Sequence, residues 1–167
     1  FFKRRKADLK KPKFLYLGRY KKEKGVISLR DIFKSINFNY ELNIVGSKKN
    51  INLDDDKIKF FKEVESTQKI INFYDKCNIF ILPSYTEGAP KVILESLARY
   101  RPIIVFEEIK HVKENLRGVF VCKRKTRNLL NKVHYIMKNY KNIVNDIKKN
   151  KIQTKKQFQD KLSIIFQ

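Results

Sequence analysis

Two basic residues and two glutamates are the side chains of this sequence best spaced to do chemistry. The stretch Gly18-Arg19-Tyr20-Lys21-Lys22-Glu23-Lys24-Gly25 lies between an apolar run and a periodic segment, with a glycine at each end. Arg19 and Lys24 flank this turn. A guanidinium fork and a point-charge ammonium converging there suit a diphosphate. Taken alone, the loop reads better as a solvated basic turn in a basic chain. The second stretch is Pro83-Ser84-Tyr85-Thr86-Glu87-Gly88-Ala89-Pro90-Lys91. Gly88 and Ala89 leave the backbone bare just before a helix start, and Pro90 suits the first helical position because its missing N–H is unpaired there anyway. Free N–H groups and the positive end of the helix dipole make Gly88, Ala89, Pro90 and Lys91 an anion site. Glu87 adjoins it, and Glu95 follows one and a half turns into the helix. A carboxylate accepting two hydrogen bonds in one plane suits the vicinal hydroxyls of a ribose or hexose. The plainer readings are a favourable charge near a helix N-terminus for Glu87 and an exposed helix acid for Glu95. Yet Glu95 sits within the otherwise apolar run Val92-Ile93-Leu94-Glu95-Ser96-Leu97-Ala98, where an unpaired charge is costly, so it requires a partner.

These loops need a frame that brings their ends together. Residues 13–18 (KFLYLG) are a short apolar run closed by glycine, the pattern of a buried strand. Residues 26–38 carry Ile27, Leu29, Ile32, Phe33 and Ile36 at helical spacing. Residues 40–46 (YELNIVG) repeat the strand-then-glycine pattern, and residues 58–61 form a third, brief strand. Residues 68–76 predict a helix with Ile70, Ile71, Phe73 and Tyr74 on its buried side. Residues 78–83 (NIFILP) are almost wholly apolar, as a central parallel strand should be. A helix over 90–100 and strands over 102–106 and 119–122 follow. Leu129, Leu130, Val133, Ile136, Met137, Tyr140, Ile143, Val144 and Ile147 mark one face of a single long amphipathic helix. A Lys-rich hinge then leads to a short helix holding Phe158, Leu162, Ile165 and Phe166. Such alternation predicts an α/β fold, a Rossmann-like doubly wound parallel sheet with C-terminal helices. Ligands of such folds sit at the carboxyl ends of the strands, where the loops after Gly18, Gly46 and Pro83 gather.

Composition bounds the alternatives. A hydrophobic fraction of 42% with 13% aromatics is too apolar for a disordered chain, despite a formal charge of +22. That charge is uneven: residues 1–24 and 123–167 are strongly basic, while 25–122 are nearly balanced. Basic ends can bind nucleic acid or an anionic membrane surface. No RNA-binding signature, zinc finger or basic heptad accompanies them, so no specific nucleic-acid partner is expected, and many lysines can simply solvate the surface. Cys77 and Cys122 lie far apart in apolar runs and read as buried structural thiols, compatible with a reducing cytoplasm. Asp54-Asp55-Asp56 contains an Asp-x-Asp pattern but sits in a polar, Lys-rich stretch, so it reads as a solvated turn and no metal site is expected. His111 and His134 have no catalytic setting. The chain begins at Phe1 and its only methionine is Met137, so it reads as a piece of a longer protein.

Taken together, the motifs resemble the C-terminal domain of the GT-B glycosyltransferases called glycosyl transferases group 1. The likeness runs from about Phe14 to Val121. It rests on LGRYKKEKG at 17–25, LNIVG at 42–46 and IFILPSYTEGAPKVILESLA at 79–98, which holds the family's paired glutamates at Glu87 and Glu95. The resemblance implies a donor domain binding a nucleoside-diphosphate sugar of the UDP or GDP type, without a cofactor, in a retaining, metal-independent enzyme. Arg19 and Lys24, with Gly18 beside them, match the positions that hold the diphosphate. Glu95 matches the ribose ligand, Glu87 the glutamate near the transferred sugar, and the amides of Gly88 to Lys91 would reach phosphate or sugar. Arg19, Lys24 and Glu87 are the expected catalytic residues, and residues 62–64 align with the segment that contacts the base. The implied division is a basic linker over 1–12, the nucleotide-sugar-binding domain over 13–150 and a helical tail over 151–167. The acceptor domain would precede Phe1, so the isolated chain is expected to bind nucleotide and transfer little sugar. A cytoplasmic location follows, with the basic ends available for attachment to the cytoplasmic membrane face. Where the family often has a small residue and a glycine, this chain has Arg99-Tyr100-Arg101-Pro102, and Glu107-Glu108-Ile109 stands where a glycine-containing loop is usual; both departures bear on what the resemblance implies for the sugar pocket more than for the diphosphate site. The alternatives from other classes are a GT-B-like sugar-nucleotide epimerase and a basic nucleic-acid-binding module.

Overall fold

The computed structural model describes residues 6–47 and 56–152. Its strands are β1 (Lys13–Leu17), β2 (Glu41–Ser47), β3 (Ile58–Lys62), β4 (Ile79–Leu82), β5 (Ile103–Phe106) and β6 (Val119–Cys122). They form one six-stranded sheet in the order β3-β2-β1-β4-β5-β6, and every neighbouring pair is parallel. β4 and β5 are buried at every position, as the near-continuous apolar sequence of an interior parallel strand requires. The helices are α1 (Val26–Lys34), α2 (Thr67–Lys76), α3 (Lys91–Ala98), α4 (Thr126–Lys138) and α5 (Tyr140–Ile147). The α/β Rossmann-like fold expected from the sequence is the fold observed. Its strand order reverses direction at β1, which pairs with β2 on one side and β4 on the other.

The helices are tied to the sheet by aromatic packing. Phe14 meets Phe33 of α1 edge-on at 4.9 Å between ring centroids, and Phe33 meets Tyr40 at 5.1 Å. Helix α1 ends at Lys34, short of the expected 38, because the Ser35 hydroxyl and amide turn back onto the carbonyl of Ile32. Ile36 is nevertheless buried, so it continued the apolar spacing without continuing the helix. A second correction concerns the C-terminal helix. Residues 126–147 form two helices, not one, broken at Asn139, whose φ of −105° and ψ of 17° leave the helical region. The Asn139 side chain donates to the Tyr135 carbonyl at 2.8 Å, a local bond of the kind that competes with helix continuation. Leu129, Val133 and Ile136 of α4 and Tyr140, Ile143 and Ile147 of α5 are all buried, which is why the periodicity reads as unbroken. The short helix expected around Phe158 lies outside the described residues, as do Asp54 and Asp55.

The turn between α3 and β5 is held by buried charge. Arg99 makes a two-pronged ion pair with Asp75 of α2, at 2.9 and 2.7 Å, with both side chains almost wholly buried. Arg101 donates to the carbonyls of Tyr74 at 3.0 Å and Asp75 at 2.9 Å, satisfying acceptors at the end of α2. Between them Tyr100 holds a φ of +60°, the left-handed conformation for which a glycine costs least. This turn precedes β5, so it lies at the amino end of the sheet. The loops after β1 and β4 are at the opposite end, whereas Glu107, Glu108 and Ile109 follow β5 at the same end as those loops.

Both cysteines are buried and free, and burial pushes their thiols up to about 12 for Cys77 and about 11 for Cys122. The Asp75–Arg99 pair gives the fold a testable anchor. Replacing Asp75 by alanine leaves a buried guanidinium without its carboxylate, and should lower stability by about 3–5 kcal/mol in urea denaturation. A loss below about 1 kcal/mol would contradict a structural role for this pair.

Candidate functional site

The loops after β1 and β4 are built against each other. After β1 the Gly18 amide donates to the Val45 carbonyl at 3.0 Å, and a side chain at Gly46 would strike the Gly18 carbonyl oxygen. The Tyr16 hydroxyl donates to the Arg19 carbonyl at 2.8 Å, fixing the start of the loop. Burial, then the charge of Glu87, holds this phenol well above its ordinary range. A 3-10 turn over Lys22–Lys24 leads to Gly25, whose φ of +65° caps α1. A Cβ at Gly25 would collide with the carbonyl oxygen of Pro83, so only glycine lets the two loops close. The Tyr85 amide then donates to the Glu23 carbonyl at 3.0 Å across the seam.

This contact brings the chemistry together. Lys24 Nζ lies 2.8 Å from Glu87 Oε1, and the Ser84 hydroxyl donates to the same oxygen at 2.6 Å. His111 Nε2 lies 2.8 Å from the Glu87 carbonyl; since a carbonyl only accepts, Nε2 carries the proton. His111 is exposed but positioned, whereas His134 lies exposed on α4. Arg19 stands exposed at the end of β1, and among the described residues no carboxylate pairs with its guanidinium. Gly88, Ala89 and Lys91 are exposed, and a Cβ on Gly88 would meet nothing within 4 Å. Pro90 is the N-cap of α3, with ψ 114°, one position earlier than the sequence suggests.

Glu95 has the partner its apolar neighbours demanded. The Tyr74 hydroxyl, from α2, donates to Glu95 Oε2 at 2.9 Å. Tyr74 is buried, and burial together with the Glu95 charge keeps its phenol protonated far above its usual range. Glu95 itself remains exposed, so its other oxygen can face a ligand. The structure therefore brings Lys24 and Glu87 into contact, sets Gly18, Arg19 and Gly88 to Lys91 around the same sheet end, and holds Glu95 on the helix that begins there. Residues 62–64 border a separate cavity of about 460 Å³ with Lys69, Asn72 and Lys76, beyond the end of β3.

Sequence reasoning missed three contributors. Tyr74 read only as a core residue, and Ser84 only as part of a loop. Arg124, after β6, was not singled out at all. Its guanidinium is stacked between the rings of Tyr85, 4.1 Å away, and Phe106, 4.3 Å away. It donates to Glu108 at 2.7 Å and to the Ser84 carbonyl at 3.3 Å. Burial works against the charged form of Glu108, but the Arg124 hydrogen bond brings its carboxyl below the usual range. Arg124 thus braces the loop that carries Glu87 from beneath.

Known proteins with these features share an ancestry that can be stated. The family model for glycosyl transferases group 1 matches residues 11–139, most of the chain. The chain belongs to this family. A capsular polysaccharide biosynthesis glycosyltransferase, CapM of Staphylococcus aureus, is 30% identical over 99 residues, covering 53% of this chain and 26% of the relative. Among solved structures, Anabaena HepE in complex with UDP-glucose has a TM-score of 0.66 at 14% identity, covering 83% of this chain and 42% of that one. The C-terminal domain of a group 1 family protein from Francisella tularensis has a TM-score of 0.61 at 17% identity, covering 84% and 82%. The group 1 chain described here spans between 23% and 38% of the length of the curated relatives it matches. Among its described residues, no helix is long and apolar enough to cross a membrane.

Proposed function

We propose that this chain is the donor-binding part of a group 1 glycosyltransferase and holds a nucleoside-diphosphate sugar where the loops after β1 and β4 meet. The observation that supports this best is the contact of Lys24 with Glu87 beside the exposed Gly88–Lys91 backbone, with Arg19 on the loop that carries Lys24 and Glu95 held by Tyr74 on the helix that follows. A diphosphate fits between the two cations and the N-terminus of α3, where unpaired amides and the helix dipole favour negative charge. Glu95 accepts from the ribose hydroxyls, and Glu87 faces the transferred sugar. Cleavage of the anomeric bond leaves its electron pair on the diphosphate, and Arg19, Lys24 and the helix N-terminus stabilise that growing charge electrostatically. In this reading the reaction retains anomeric configuration and relies on these cationic groups instead of a metal. The nucleotide is UDP or GDP; the UDP-glucose complex of HepE supports the former. The acceptor is held by a domain outside this chain, so the isolated chain binds nucleotide and transfers little sugar.

The Lys24–Glu87 ion pair adds a constraint to this reading. Lys24 cannot serve the diphosphate fully while Glu87 competes for it at 2.8 Å. Donor binding must therefore share the ammonium between the two anions.

Two measurements test the site. Calorimetric titration with UDP and with GDP at physiological salt should give saturable binding of one nucleotide, weakened about tenfold or more by Glu95→Ala, as expected for loss of a charged hydrogen-bond acceptor. No binding of either nucleotide, or binding unchanged by the substitution, contradicts the assignment. The Glu87→Gln variant keeps an oxygen for Ser84 and releases Lys24, so its affinity for the free nucleotide should rise severalfold. A fall would mean that Glu87 orients Lys24 for the diphosphate instead of competing with it.

A further inference from the structure

Lysines from residues 6–11 and from α5 meet at one face of the fold, at the end of the sheet opposite the loops after β1 and β4. Residues 6–9, far from α5 in sequence, lie beside it, and together with the turn before β5 they enclose a cavity of about 490 Å³. Lys6, Lys141 and Lys148 line it, with Arg101 in its wall, and no carboxylate is among the lining residues. Tyr100, Tyr140 and Val144 give the cavity an apolar side, and the Lys148 ammonium stands over the Tyr100 ring at 5.8 Å.

The arrangement is anchored. The Asn78 side chain donates to the Asp8 carbonyl at 2.6 Å and accepts from the Lys13 amide at 2.7 Å, holding the N-terminal segment to the start of β4. The Tyr140 hydroxyl donates to the Asn78 carbonyl at 2.8 Å, holding α5 to the same point. At the rim Leu9 is 45% exposed, with Lys10 and Lys11 following it. Two acids lie nearby: Asp8 accepts from the Lys10 amide at 3.0 Å, and Asp146 is paired with Lys149 at 2.8 Å.

We propose that this face docks on an anionic membrane surface, with a lipid phosphate among Lys6, Lys141 and Lys148 and Leu9 entering the interface. Lysines alone would suit any polyanion. The combination of an apolar cavity wall with a protruding aliphatic residue selects an amphiphile, because nucleic acid offers Leu9 nothing to enter. Each basic residue near an anionic leaflet adds roughly 1 kcal/mol of attraction, which is about fivefold in affinity. The attraction weakens over a Debye length as salt rises. Because the face lies at the amino end of the sheet, a docked chain keeps the loops after β1 and β4 clear of the bilayer. The proposal is independent of nucleotide binding and stands or falls separately from it.

Sedimentation with vesicles of phosphatidylcholine containing 30% phosphatidylglycerol, against pure phosphatidylcholine, tests it at physiological ionic strength. Wild type should bind the anionic vesicles only. The combined Lys6→Ala, Lys141→Ala and Lys148→Ala variant should bind on the order of a hundredfold more weakly. A control that removes the same charge elsewhere, at Lys69, Lys110 and Lys113, should retain most of the binding. Leu9→Ser should weaken binding severalfold without changing net charge. Circular dichroism and thermal unfolding of each variant should match wild type. The proposal is overturned if wild type ignores anionic vesicles, or if both triple variants lose binding equally. Binding of a single-stranded oligonucleotide with the same lysine dependence, in place of vesicles, also overturns it.

Discussion

Everything at the carboxyl end of this sheet depends on β1 lying beside β4. The two strands are far apart in sequence, yet Phe14 pairs with Ile79 and Leu15 with Phe80. That register delivers the loop of Arg19 and Lys24 and the loop of Glu87 to the same edge at the same height. Strand order reverses there, so the helices that follow β1 and β4 leave in different directions and open a crevice between them. Gly25 then closes the seam against Pro83, where any larger residue would force the loops apart. The site is a consequence of sheet order first and of side-chain identity second.

Given that frame, the charged groups are held by a small number of specific bonds. Glu87 is fixed by Ser84 and Lys24, its carbonyl is met by His111, and Arg124 braces the loop from below between two aromatic rings. Glu95 is aimed by Tyr74, and α2, which carries Tyr74, is locked to the end of α3 by Asp75 and Arg99. The turn between α3 and β5 lies at the other end of the sheet yet is tied to both helices. It sets the relation between the helix that bears Glu95 and the helix that holds it. The opposite face has its own logic, with Asn78 clasping the segment around Asp8 and the start of α5 to the start of β4.

Much of this was legible in the sequence because parallel strands announce themselves. The runs that became β1, β4 and β5 are apolar on both faces, and the first two are closed by Gly18 and Pro83, so their buried positions followed directly. Arg19, Lys24, Glu87 and Glu95 stood out because charge next to glycine or inside an apolar run needs an explanation. What stayed hidden was pairing across the fold. Nothing local to Tyr74 says that its hydroxyl reaches Glu95, since a tyrosine on the buried side of a helix reads as packing. Arg124 sits in a run of basic residues that composition alone accounts for, and only the tertiary arrangement sandwiches it between Tyr85 and Phe106. The break at Asn139 was masked because both helices bury the same face. The meeting of residues 6–9 with α5 was equally invisible, because charge counted along a chain carries no information about where the chain returns.

The central claim is that nucleotide binds at the carboxyl ends of β1 and β4, and amide NMR of the labelled chain during titration with UDP or GDP tests it most directly. Saturable shifts should appear at residues 18–25 and 88–91 and along α3 near Glu95, while residues 6–9 and 140–148 remain unmoved. Shifts confined to the basic amino-end face, or none at saturating nucleotide, would contradict the donor site derived from this geometry.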